Sequence, residues 1–261
     1  MHAIPENAPG VLPSLADPVV RPTELSRRLR TLPLAMGKWL ACLLLATLAI
    51  ALFFRWAPVP FSSLMLQRQF SAQWQDKTYR QHYHWVSLER ISPQALLAVI
   101  AAEDQKFLGH HGFDFTAMSK AWQENQKRKN PRGASTISQQ VAKNIFLWPG
   151  KSLFRKGVEA YFTVLLEALW PKERILEVYL NVAEFGPGIF GIEAASQTYF
   201  HKSAAKLNAA EAAILAAVLP NPLRSSAGRP SVYISDRAWH IQKQMRQMGG
   251  TAHLRPILKK S

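Results

Sequence analysis

Cysteine is almost missing from this chain: Cys42 alone occurs among 261 residues, which excludes a disulfide framework within the chain and any cysteine-rich zinc site. Acidic side chains are scarce as well. Seventeen Asp and Glu stand against 32 Lys and Arg, a formal net charge of +15 and a pI near 10.2, so the partner is anionic: nucleic acid, anionic lipid or a phosphorylated substrate. No run alternates with strand period over a useful length, and there are no internal repeats, which leaves helices to build the fold. Apolar material is plentiful at 48% of residues. That is enough for a packed core and excludes a wholly disordered chain. The length suits one domain of ordinary size with a tail or anchor.

From Trp39 to Phe54 no charge occurs in 16 residues. A hydrocarbon core takes about 20. Trp39 and Trp56 as interfacial anchors, with Lys38 and Arg55 snorkelling, extend the expected span to 34–57. A buried core helix would show a polar face, and this stretch has none. A cleaved signal peptide would have a shorter basic lead, although Ala49-Ile-Ala51 resembles a cleavage site. Residues 1–33, with six prolines, read as a poorly ordered tail. Near the span, four Lys/Arg lie on the N-terminal side (Arg27, Arg28, Arg30, Lys38) and two on the other (Arg55, Arg68). The positive-inside rule therefore places the tail in the cytoplasm and everything after residue 57 outside it, the periplasm of a bacterium with two membranes. That location argues against nucleic acid.

Residues 58–85 read as a connector or short amphipathic lead-in, 86–248 as an all-α domain, and 249–261 as a C-terminal tail. Ser92-Pro93 opens a helix expected to reach about Phe107. Ser135-Thr136 opens another to Phe146, Ser152 a third to Trp170, and 172–184 form a fourth. Asn208 and Glu211 make a capping box for a helix ending at Pro220, and the last helix is expected over Asp236–Met248.

At helical spacing, Leu96, Ile100, Glu103 and Phe107 share one stripe, so a carboxylate stands where an apolar side chain is expected. Desolvation raises the pKa of such a group and suits it to acid or base work; a structural Glu paired with an Arg is the alternative. His110, Gly112 and Asp114 follow in a turn, and the paired histidines there are a weak metal signal. In Arg132–Asn144, Thr136, Gln140 and Lys143 line one face with Gln139 at its border, while Ile137, Val141 and Ile145 form the other. A glycine-preceded helix start with hydroxyls, amides and a lysine suits an anion, or is an ordinary capped and solvated face. Further on, Glu159 stands one turn after Arg155 at the margin of an apolar stripe, and Glu167 is expected on the opposite side with Lys156. Glu159 is thus the better second catalytic acid. The match of Ser203-Ala-Ala-Lys206 to S-x-x-K lacks a following K-T-G and reads as chance. Lys127-Arg128-Lys129 reads as a solvated loop that can touch anionic lipid.

Four motifs in order, Glu103–Asp114, Gly133–Asn144, Arg155–Glu159 and Arg174–Asn181 running on to Phe185–Gly188, resemble the peptidoglycan glycosyltransferases in their monofunctional biosynthetic form. Ser138 stands where the family more often has Thr. The resemblance implies a lysozyme-like helical fold. It also implies inverting transfer of glycan held on undecaprenyl pyrophosphate to the 4-hydroxyl of lipid II. It assigns Glu103 as the base and Glu159 as the second acid, or as holder of a divalent ion. Lys143 and Arg155 would meet the pyrophosphate, and Ser135, Gln139, Gln140 and Asn144 sugar and phosphate. Asp104, Phe107, His110, Gly112, Asp114, Gly133, Thr136, Lys156, Asn181 and Gly186 are the supporting positions. The implied setting is the bacterial inner membrane, with other cell-wall synthesis proteins as partners. No protein-bound metal and no obligatory cofactor are expected, Mg²⁺ or Mn²⁺ being at most stimulatory. Phe146–Pro149 and the aromatics of 61–85 are candidates for a surface dipping into the outer leaflet. A glycan-cleaving enzyme of similar fold and a non-enzymatic membrane-tethered scaffold are the competing readings.

Overall fold

The computed structural model describes residues 24–75, 78–126, 133–150 and 152–258; Lys127-Arg128-Lys129 and Arg132 lie outside them. The chain divides into two units, one ending at Thr47 and one beginning at Leu48. In the first, the described backbone is helical from Glu24, within the segment read as a tail, and belongs to α1 (Glu24–Phe53). The stretch Met36–Phe53 is long and apolar enough to cross a membrane, and only 6% of it is buried. The core helix of a soluble protein would be mostly covered.

The second unit is helical apart from a small sheet. α2 (Ser63–Trp74) fills part of the expected connector, opened by a capping box between Ser62 and Met65. α3 (Pro93–Glu103) begins as expected, with Ser92 accepting from the Gln94 N–H, and is buried at every position from Ala95 to Ala101. Around it pack α9 (Ala209–Val218), whose alanines permit close approach, and α10 (Val232–Gln247). A second layer is formed by α5 (Ile137–Phe146), α6 (Leu153–Leu169) and α7 (Lys172–Val182). α4 (Phe115–Asn125), α8 (Ile192–Phe200) and a short α11 (Arg255–Leu258) complete the α-helices among the described residues.

Several boundaries differ from expectation. α3 stops at Glu103 rather than Phe107, because Asp104 turns to φ −159° and its carboxylate bonds across to Ile137 N–H and His110 instead of continuing the helix. α10 starts at Val232, capped by Ser231, four residues before the Asp236 expected. α7 ends at Val182 because Glu184 enters a strand. The sheet has the order β1 (His82–Tyr83), β3 (Ile189–Phe190), β2 (Glu184–Gly186), with β1 parallel and β2 antiparallel to β3. Strands of two or three residues are too short to show alternation. Glycine is required where they turn. Gly188 has φ +75°, and a Cβ there would come within 2.5 Å of the Arg80 carbonyl. A Cβ at Gly186 would run into the Tyr199 hydroxyl.

Two braces tie the unit together. Asn181, fully buried, accepts from Val86 N–H at 2.9 Å and donates to the carbonyls of Val86 and Glu177 at 2.8 Å. Arg174 donates to the Phe54 carbonyl from Nε (3.0 Å) and Nη2 (2.8 Å) and to that of Ala57, while Trp170 Nε1 donates to Ala51 O at 2.7 Å.

Candidate active site

α3 delivers Glu103 at its last turn, where the helix has no further residue to cover the side chain. The carboxylate is 14% exposed, accepts from Gln140 Nε2 at 2.9 Å, and lies 3.9 Å from Arg237 Nη2. Burial raises its pKa above the usual carboxylate range; Gln140, Arg237 and Lys143 oppose that rise and Asp104 adds to it.

Asp104 faces inward. One oxygen caps α5 by accepting from Ile137 N–H at 3.0 Å, and both oxygens lie 3.0 Å from His110 Nε2. The bond to Ile137, with that from Gln140 to Glu103, ties the end of α3 to α5. Thr136, the N-cap of α5, donates to the Gly112 carbonyl at 2.6 Å and exchanges capping bonds with Gln139. Gly112 has φ +86° and no room for a Cβ, which would lie 2.9 Å from Thr163 Cγ2. Asp114 caps α4 through Ala117 N–H at 2.9 Å. Phe107 is fully buried, with Lys172 Nζ 4.6 Å above its ring.

Of the residues proposed for substrate, Gln139 and Asn144 are buried, and Gln139's side chain is taken up by the capping box. Ser135 and Gly133 are exposed and line a cleft of about 530 Å³ together with Glu103, Lys120, Arg237 and His240. A second cavity of about 480 Å³, walled by residues 81–84 and the face of α8, shares no lining residue with it. Lys143 is exposed toward the solvent, yet crowding by the protein around it, with Arg155 and Lys156 nearby, lowers its ammonium pKa, while Glu159 and Glu103 pull the other way. Lys143 therefore senses both acids.

Glu159 is buried at 2% exposure and flanked on its own helix by Arg155, 3.5 Å away, and by Lys156. Glu167 lies on the side of α6 away from the apolar stripe, eleven residues on from Lys156, and is bonded to neighbouring helices there. It accepts from Ser138 and from Lys172 Nζ at 2.7 Å, forming a brace between α5, α6 and the start of α7. The Nε atoms of Arg155 and Arg237 are buried without a hydrogen-bond partner, so donor capacity remains unspent near both acids. Among the described residues no three His, Cys, Asp or Glu converge as a metal site.

Arg237 and Tyr179 were not singled out from sequence. Arg237 sits on the margin of an apolar stripe, Ile234, Ala238, Ile241 and Met245, which is the only local signal it carries. Its approach to Glu103 requires α10 to pack on α3.

The sequence profile of the transglycosylase family matches residues 69–246. A biosynthetic peptidoglycan transglycosylase of Pectobacterium carotovorum subsp. carotovorum is 52% identical over 228 residues, 87% of this chain and 90% of that protein. One of Klebsiella oxytoca is 57% identical over 219 residues, 83% of this chain and 90% of its own length. One of Cronobacter sakazakii is 54% identical over 223 residues, 85% and 89% respectively. By sequence across most of its length, the chain belongs to the transglycosylase family.

Proposed function

We propose that the protein is a peptidoglycan glycosyltransferase of cell-wall synthesis that polymerises lipid II by inverting transfer of undecaprenyl-pyrophosphate-linked glycan to the acceptor 4-hydroxyl. The observation that carries the chemistry is Glu103: a carboxylate desolvated at a helix end, open to a cleft, and oriented by an amide. Such a group, with its pKa raised toward the working pH, takes the acceptor proton as attack begins. Charge then develops on the departing pyrophosphate. Lys143 and Arg155 meet it, and a preorganised donor of this kind contributes about 3–4 kcal/mol to the transition state. Glu159, held between Arg155 and Lys156, keeps these cations in place and assists at the donor sugar. Ser135, at the cleft, and Gln140, beside Glu103, contact sugar and phosphate, with Gln139 and Asn144 buried behind them. No cofactor is obligatory in this reading, and Mg²⁺ or Mn²⁺ only stimulates.

The N-terminus lies in the cytoplasm and the catalytic unit in the periplasm, held at the inner membrane by the single apolar helix. Exposed Phe61, Phe70, Trp74, Trp148 and Phe154 support a surface that enters the outer leaflet and brings the cleft to a lipid-linked substrate. Purified protein given lipid II, with and without Mg²⁺, should form linear glycan. Release of sugar fragments from finished glycan with no polymer formed would instead identify a lytic enzyme.

A further inference from the structure

Gln140 faces Glu103 with one end of its amide and Tyr179 with the other. Its Nε2 donates to Glu103 Oε2 at 2.9 Å, and the Tyr179 hydroxyl donates to its Oε1 at 3.2 Å. A primary amide carries a donor and an acceptor of nearly the same shape, and a half-turn exchanges them. Turned the other way, Gln140 would set a carbonyl oxygen against the Glu103 carboxylate. Nothing in the amide's shape prevents this; a neighbour must decide it.

Tyr179 is that neighbour. It lies on α7, is 1% exposed, and Gln140 is the hydrogen-bond partner of its hydroxyl among the described residues. A buried phenol must spend its one proton, and Gln140 Oε1 is where it is spent. Burial, together with the carboxylates of Glu103 and Asp104, holds the phenol well above the ordinary tyrosine range, so it remains a donor at any pH at which the enzyme works.

We propose that Tyr179 is a positioning residue for the reaction: by donating to Gln140 it locks the amide with its NH₂ toward Glu103, keeping that carboxylate ionised and in one rotamer for proton abstraction. The proposal rests on the reading of Glu103 as base. Besides Gln140, the charged groups acting on Glu103 are Asp104 beside it, Lys143 from α5 and Arg237 from α10. Removing the Tyr179 hydroxyl alters none of them, so its loss isolates the amide.

The test uses the full-length protein in detergent with lipid II as substrate, with kcat and KM followed from about pH 5 to 9. Without the lock, the amide no longer favours the ionised form and the acid limb of kcat moves up. Hydrogen bonds to a charged group set the displacement of Tyr179→Phe at about one pH unit, a loss of about tenfold below the limb, with recovery on the plateau and KM unchanged. A uniform loss at all pH values with the limb unmoved would mean that the hydroxyl only supports the fold, and would overturn the proposal. In a Gln140→Met background Tyr179→Phe should move nothing; a further displacement there also overturns it. If Tyr179→Phe does not fold, 3-fluorotyrosine at position 179 keeps ring and hydroxyl and strengthens the donor. The limb must then move down, and an unmoved limb refutes the lock. Failure of the underlying reading is distinguishable: wild type would not polymerise, or Glu103→Gln would remain active.

Discussion

Glu103→Gln should abolish turnover and, at neutral pH, stabilise the protein. The two side chains have the same shape, and an amide oxygen at position 103 can still accept from Gln140 Nε2, which now bonds the carboxylate at 2.9 Å. What is lost is the base, and general base catalysis is worth about 10²–10⁴ in rate. What is gained follows from linkage. Burial raises the folded-state pKa of Glu103 above its unfolded value, so the folded protein binds the proton more tightly than the unfolded chain, and stability falls as pH rises from the unfolded value through the folded one. Each pKa unit of displacement corresponds to about 1.4 kcal/mol. A glutamine has no charge to desolvate and escapes that loss. The gain should therefore be absent below about pH 3, where the carboxyl is protonated folded and unfolded, and grow as pH rises through the unfolded value toward neutrality. For a unit of this size 1 kcal/mol reads as about 2–4 °C in Tm. The assay is paired: lipid II polymerisation, and Tm of both proteins in detergent across pH. Retained turnover refutes the role of Glu103. A Tm difference independent of pH refutes the argument from desolvation.

Lys143→Ala should lower kcat/KM by about 10²–10³, the loss of one preorganised donor at the leaving group, with Lys143→Arg recovering part of it; unchanged turnover would count against the pyrophosphate contact. Asn181→Ala strands the buried N–H and carbonyl of Val86 and should cost about 2–4 kcal/mol in denaturant melts, while leaving the pH profile of activity in place. Deleting the chain through Thr47 should leave Tm of the second unit unchanged. Deleting it through Ala57 removes the carbonyls of Ala51, Phe54 and Ala57 that Trp170 and Arg174 use and should cost about 3 kcal/mol; equal Tm for the two truncations would show those bonds to be worth nothing.

The sequence by itself determined what depends on near neighbours. Caps such as Ser92, Thr136, Ser152 and the Asn208–Glu211 box lie within four residues of the groups they satisfy, so helix starts were legible from the chain. The apolar run ending at Phe53 was legible for the same reason. Glu103 stood out because a charge on an apolar stripe is a local contradiction, and Glu159 because it borders an apolar stripe one turn after Arg155. The end of α10 proved easier than its beginning, where Ser231 rather than Asp236 supplies the cap.

Tertiary structure alone decided how those residues act. Asp104 looked like a residue displaced from the stripe and accepts from the first N–H of α5, 33 positions onward. Glu167 was expected on the polar side of its helix, and its bonds to Ser138 and Lys172 come from elements the spacing does not name. Arg237 reaches Glu103, and Tyr179 turns Gln140, only once α10 lies on α3 and α7 on α5. Helical period states which face of a helix a side chain occupies, but not what another helix brings to that face. A hydrogen bond requires both partners within about 3 Å, and across a separation of 39 residues, as between Gln140 and Tyr179, only packing supplies that distance.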